Sequence, residues 1–167
     1  MLPIGPRPIA LIGPMGSGKT ETAKRLATLL GWQFVDIDEL VVRNSGKPIE
    51  RIFREDGEEE FRRLESQALV LGLTMTPAVL ACGGGVVAEP DNIKLLKSSA
   101  TVVYLKVDAK VAVARVGNDP DRPLAQSLPQ LLAEREHLYA QTADLVVDAD
   151  KTVEEVAGRI RSLIGAT

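Results

Sequence analysis

Short apolar runs alternate with helical repeats along the whole chain. The runs predict strands at 9–12, 33–36, 78 to 81 or 82, 101–107 and 145–147. Helical spacing fills the gaps. A first helix runs from about Gly18 to Leu30, with Ala23, Leu26, Ala27 and Leu30 on one face and Gly31 as its stop. A short helix follows at 39–43, and Pro48 opens another that carries Ile49, Ile52 and Phe53 until Gly57 breaks it. The clearest helix spans 58 to about 71, with Phe61, Leu64, Ala68 and Leu71 as its buried stripe. Glu58–Arg62 and Glu59–Arg63 are its expected i, i+4 pairs. Further helices are predicted from Pro90, over 109–116, over 131–139 and from Thr152 to about 164, where Thr152-x-x-Glu155 reads as a capping box. Strands that alternate with helices predict an α/β fold around a mainly parallel sheet.

Where the first strand meets the first helix, the pattern carries chemistry. Gly13-x-x-x-x-Gly18-Lys19-Thr20 has the spacing of a phosphate-binding P-loop. Glycines let backbone N–H groups close around an anion, and the new helix points its positive end at the same place. Lys19 is then placed for β- and γ-phosphates, and the Thr20 hydroxyl for Mg²⁺.

Composition narrows the setting. The 167 residues suffice for one domain with a sizeable core. Net charge is -3 and the pI is near 5.3, which argues against a general nucleic-acid binder. Cys82 is the single cysteine, so no internal disulfide forms. No apolar run approaches the roughly 18 residues of a membrane span. The proline-bearing N-terminus lacks the basic and apolar regions of a signal peptide. A cytoplasmic protein is expected.

Four further groups of residues have chemical readings, each with a plainer one beside it. Asp36 and Asp38 follow the second strand; in an extended segment they share a parity and face one cleft, where carboxylates assist Mg²⁺ or accept a hydroxyl proton. Alternatively, an Asp caps the helix at Glu39. Arg62 and Glu65 are one turn apart and form a fork for an anionic group, or part of a solvated charged face. Gly83-Gly84-Gly85 lets a substrate approach the backbone, or is a flexible turn. Arg115, Arg122 and Arg135 supply cations for phosphoryl transfer, or are surface charge. The polar break at 117–123 is a candidate mobile loop. His137 reads as solvated and Cys82 as a small buried residue.

Taken in order, these pieces resemble the shikimate kinase family. The pattern is Gly-x-x-Gly-x-Gly-Lys-Thr, Phe34-x-Asp36-x-Asp38, Ile52-Phe53, then Gly57-Glu58-x-x-Phe61-Arg62-x-x-Glu65. Gly83-Gly84-Gly85, Arg122-Pro123-Leu124 and Arg135-x-x-x-Tyr139 complete it over nearly the whole chain. The resemblance implies a single P-loop kinase domain over 1–167, with a five-stranded parallel sheet in the order 2-3-1-4-5 flanked by helices. It implies a substrate-binding region at about 37–66 and a lid at about 117–130. It implies transfer of the ATP γ-phosphate to the 3-hydroxyl of shikimate, on the route to chorismate and aromatic amino acids, by a monomer with ATP and Mg²⁺ and without nucleic-acid or membrane partners.

Residue roles follow from the same resemblance. Gly16, Ser17, Gly18, Lys19 and Thr20 bind the ATP phosphates, Thr20 ligates Mg²⁺, and Asp36 lies near the metal. Asp38 holds the shikimate hydroxyls and serves as base. Arg62 and Arg135 clamp the carboxylate, Gly84 and Gly85 give backbone contacts, and Phe53 and Phe61 wall the ring. Arg122 reaches the phosphates from the lid, Arg115 lies against adenine, and Glu65 backs Arg62. This chain departs from the pattern in a short stretch between Arg122 and Arg135, in Ala125 after Arg-Pro-Leu, and in Ala81 where a hydroxyl often orders the metal's water shell. Two other functions fit a P-loop of this kind: a non-catalytic regulatory module, and a kinase for another small polyol acid such as gluconate.

Overall fold

The computed structural model describes residues 6–117 and 127–165. Five strands form one parallel sheet: β1 Ile9–Ile12, β2 Gln33–Asp36, β3 Ala78–Ala81, β4 Thr101–Lys106 and β5 Leu145–Asp148, in the order β2-β3-β1-β4-β5. Parallel neighbours need crossovers, and helices supply them: α1 Lys19–Leu30, α2 Ile37–Ser45, α3 Ile49–Glu55, α4 Gly57–Leu73, α5 Pro90–Ser99, α6 Ala109–Val116, α7 Leu128–Thr142 and α8 Val153–Gly165. The class is the one the patterning predicts, and the strand order is the one the family resemblance implies.

Alternation along each strand divides the core in two. Ala10, Ile12, Leu80, Val102 and Tyr104 face one layer, packed by α2, α4, α5 and α7. Ile9, Leu11, Val79, Val103 and Leu105 face the other, packed by α1, α6 and α8. The chain therefore leaves β1 toward one face through α1 and leaves β3 toward the opposite face through α5. β1 and β3 are hydrogen-bonded neighbours. The crevice beyond their carboxyl ends is the switch point where open α/β sheets bind ligands.

Most predicted elements stand within a residue or two. Gly31 ends α1 in the left-handed conformation, with its N–H on helix carbonyls. Thr152 and Glu155 make the reciprocal capping box, at 3.1 and 3.2 Å. The differences are informative. The segment after β2 is not extended: α2 begins at Ile37, because Asp36 accepts from the Asp38 and Glu39 N–H groups and caps it there. α7 begins at Leu128, three residues before the expected start. A 3-10 turn over Val86–Ala88 follows the triple glycine and carried no apolar repeat.

The buried stripe of α4 is rotated from its expected place. Leu71 is 41% exposed, while Phe61, Glu65, Ala68, Leu69 and Gly72 form the inner face. Gly72 admits Ile37 and Leu80, whose side chains occupy the space a Cβ would need. Arg62 lies inside with Glu65, so two charged residues share the inner face that the apolar pattern gave to Phe61, Leu64, Ala68 and Leu71. Arg63 pairs with Glu60 rather than Glu59.

Candidate active site

A cavity of about 710 Å³ opens at the carboxyl ends of β1, β2 and β3. One wall is the turn between β1 and α1, with Met15, Gly16, Gly18, Lys19 and Thr20. The local sequence makes that turn. Gly16 takes φ +81°, and a Cβ there would come within 2.4 Å of the Ala112 carbonyl oxygen on α6. Only a glycine suits both conditions. Arg115, also on α6, donates to the Gly16 carbonyl at 3.1 Å and to the Lys151 carbonyl at 3.4 Å. Ser17 is buried in the loop. Lys19 Nζ donates to the Gly13 and Pro14 carbonyls at 2.7 and 2.8 Å, which folds the ammonium over the loop that α1 extends.

Asp36 links this wall to the next. Its Oδ1 accepts from the N–H groups of Asp38 at 2.9 Å and Glu39 at 3.3 Å. Its Oδ2 accepts from the Thr20 hydroxyl at 3.4 Å. The capping reading of Asp36 therefore holds through one oxygen, while the other meets Thr20. Asp38 sits in the first turn of α2 and lines the cavity. Its place comes from a helix turn and not from strand parity.

The opposite wall is a buried charged group. Arg62 is 8% exposed and Glu65 fully buried. Arg62 Nη1 donates to Glu65 Oε1 at 2.9 Å, and Nη2 donates to Glu58 at 3.3 Å. The guanidinium lies 5.1 Å from the Phe61 ring centre, and Phe53 packs on Phe61 at 4.8 Å. This is a preorganised fork and not a solvated face. Burial pushes the Glu65 carboxyl above its usual range; Arg62 and, more weakly, Arg135 oppose that, and Asp38 adds to it.

The triple glycine serves these side chains. A Cβ on Gly83 would lie 2.6 Å from Glu65 Oε2 and 3.1 Å from Asp38 Oδ1. One on Gly85 would lie 2.2 Å from Arg62 Nη1. The glycines leave room for the carboxylates and the guanidinium to converge on one loop. Tyr139 on α7 donates its hydroxyl to the Gly84 carbonyl, and Arg135, one turn earlier, reaches the cavity. Burial pushes the Tyr139 phenol up to about 12, against the pull of Arg135. Cys82, buried behind the loop, has its thiol pushed up by the same cause.

Residues 15–164 match the shikimate kinase family. The chain belongs to it. A shikimate kinase of Moorella thermoacetica is 42% identical, over 96% of this chain and 96% of that one. One from Caldanaerobacter subterraneus subsp. tengcongensis is 39% identical, over 91% and 92% of the two chains. The structure of shikimate kinase from Acinetobacter baumannii in complex with shikimate superposes with a TM-score of 0.93. It is 34% identical and covers 96% of this chain and 94% of that one.

The shikimate kinase pattern thus converges in space. Gly16, Gly18, Lys19, Thr20, Asp36, Asp38, Phe53, Phe61, Arg62, Gly84, Gly85, Arg115 and Arg135 all line the one cavity. Arg122, most of the expected lid and Ala125 lie outside the described residues. Glu58 pairs with Arg62 as its spacing predicted. Two contributors had no individual role assigned in the sequence: Gly83 beside the carboxylates, and Tyr139 on Gly84. The i, i+4 spacing of Arg135–Tyr139 was the available signal for the second.

Proposed function

We infer that this chain transfers the γ-phosphoryl group of ATP to the 3-hydroxyl of shikimate, giving ADP and shikimate 3-phosphate. The observation that carries this is a single cavity with a P-loop on one wall and a buried Arg62–Glu65 fork, Arg135 and Asp38 on the other. Family membership over residues 15–164 supports it.

The chemistry follows from the charges. Arg62 and Arg135 take the acceptor's carboxylate; Arg62 is already oriented by Glu65, so little ordering is lost on binding. Phe53 and Phe61 cover the ring, and the backbone at Gly84 and Gly85 contacts it. As the acceptor oxygen bonds to the γ-phosphorus, the bond to the β–γ bridging oxygen breaks and its electrons leave with ADP. The hydroxyl proton passes to the Asp38 carboxylate. Lys19 leaves the Gly13 and Pro14 carbonyls for the phosphates, which Gly16, Ser17 and Gly18 cradle through their N–H groups. Arg115 supports adenine, and Arg122 is assigned to the phosphates from a lid at 117–130; residues 37–66 form the acceptor region.

Thr20 Oγ1 and Asp36 Oδ2 are a hydroxyl and a carboxylate side by side at the loop, an oxygen set suited to Mg²⁺, which keeps its other ligands as water and phosphate. Bound there, Mg²⁺ would neutralise phosphate charge. Ala81 brings no oxygen, so the protein's share rests on Thr20 and Asp36. In this reading the enzyme is a cytoplasmic monomer without nucleic-acid or membrane partners; among the described residues no helix is long and apolar enough to cross a membrane.

Coupled ADP release with ATP and Mg²⁺ tests the assignment. ADP should appear with shikimate and not with gluconate or other hydroxy acids. No shikimate-dependent signal, or an equal one with gluconate, sinks it.

A further inference from the structure

We propose that Tyr139 is a positioning residue that locks Arg135 and the Gly84–Gly85 peptide into one acceptor-binding unit; this rests on the functional reading above. Arg135 and Tyr139 are one turn apart on α7 and share a face. The Tyr139 side chain is 1% exposed. Its hydroxyl donates to the Gly84 carbonyl, and the Arg135 guanidinium, one turn back on the same face of α7, stands beside it. One phenol thus touches two groups that come from separate parts of the chain and meet at the cavity.

The geometry of the peptide extends its reach. The cis peptide among the described residues is Thr76–Pro77, so Gly84–Gly85 is trans. In a planar trans peptide the C=O and the following N–H point in opposite directions. Holding the Gly84 carbonyl therefore fixes the direction of the Gly85 N–H. The Arg62 guanidinium also rests against Gly85. On its other side, the Cβ position of Gly84 lies 3.5 Å from the Met15 nitrogen of the P-loop and 3.8 Å from the Tyr139 hydroxyl oxygen. Gly84 thus faces both the donor loop and the tyrosine.

The anchor itself is rigid. Tyr139 stacks on Tyr104, with ring centres 5.2 Å apart and planes at 27°. Asn92 Nδ2 donates to the Val86 carbonyl at 3.0 Å and holds the next stretch of the loop from behind. A phenylalanine at 139 would fill the same space, so the hydroxyl contributes only the two polar contacts. With the phenol's titration moved up to about 12, the donor to Gly84 stays in place through the neutral range.

Tyr139→Phe tests this in the full chain. Shikimate KM should rise about 5- to 20-fold, the size expected when a hydrogen bond to a charged group and a buried partner is lost. ATP KM and the thermal midpoint should hold. Equal rises in both KM values, or a loss of stability alone, overturn the assignment. In an Arg135→Ala background the same substitution should change shikimate affinity, measured calorimetrically, by a smaller factor than in the parent, since only the Gly84–Gly85 contact remains to be lost. An undiminished effect there removes the coupling. If Tyr139→Phe does not fold, the Gly84 carbonyl ¹³C resonance decides: Arg135→Ala should move it through the tyrosine, and an unmoved resonance overturns the proposal. A parent chain that phosphorylates no shikimate removes the functional reading and this assignment with it. A parent that does so, with Tyr139→Phe unaffected, removes the assignment alone.

Discussion

The donor wall of the cavity comes from the consecutive residues Gly13–Thr20, while the acceptor wall is assembled from α2, α4, the loop after β3 and α7. The donor wall works mainly through backbone: a left-handed glycine, N–H groups and a helix start. The acceptor wall works through buried side chains that need one another. Arg62 needs Glu65, Glu65 and Asp38 need the space at Gly83, and Arg62 needs the space at Gly85. A local motif can be altered at one residue with a local result. A distributed network transmits a change from one element to the next.

The sharpest way to break the comparison is at the joint of the two walls, where the proposed function puts the reacting atoms. Asp38→Asn keeps the size and the helix start, since Asp36 and not Asp38 caps α2. Turnover should fall at least ~100-fold if Asp38 takes the proton, with both KM values little changed. Near-normal kcat, measured by ADP release, removes that role.

Next comes a pair of substitutions within the acceptor wall. Arg62→Ala removes a cation from the proposed clamp, and Gly85→Ala puts a Cβ 2.2 Å from Arg62 Nη1. Both should raise shikimate KM, by ~10- to 100-fold for the arginine, while ATP KM stays. If Gly85→Ala is silent, the glycine does not exist to seat the guanidinium, and the picture of a side-chain network loses its main support.

A smaller effect is expected on the donor side. Gly16→Ala meets a positive φ and the Ala112 carbonyl at once. It should cost about 1–3 kcal/mol of stability in denaturant unfolding and raise ATP KM, with shikimate binding intact. An equal change in shikimate affinity would show that the two walls are not separable.

The same contrast explains what could be read from the chain. The P-loop was legible because its chemistry is contiguous, and the sheet because the apolar runs along β1, β3 and β4 were uninterrupted. The acceptor wall was legible only as a resemblance. Taken alone, Glu-Glu-Glu-x-Arg-Arg reads as a wet surface. Nothing local shows that Arg62 and Glu65 turn inward while Leu71 stays 41% exposed. That outcome depends on the space at Gly85 and Gly83, some twenty residues away. Asp38 was expected from strand parity and arrived through a helix turn, because a capping preference at Asp36 overrode the extended pattern. Tyr139 was visible as a spacing, but its partner Gly84 lies on another element, beyond what periodicity along one helix reports.

The smallest expected effect separates the walls by pH. Burial holds the Glu65 carboxyl above its unfolded value of 4.5, with Arg62 and Arg135 only partly opposing. The folded protein therefore binds that proton more tightly than the unfolded chain does. The stability it contributes is present in full below 4.5 and is lost as pH rises through the folded value. Glu65→Gln keeps an acceptor for Arg62 and removes the titration. Relative to that variant, the parent should lose stability as pH is raised from about 4.5 toward neutrality, measured by urea unfolding at fixed ionic strength. Gly16→Ala, on the donor wall, should show a stability loss that does not vary over the same range. A parent whose margin over Glu65→Gln grows with pH would mean that the Arg62 contact outweighs burial, and that the acceptor wall is held as an ion pair from the outset.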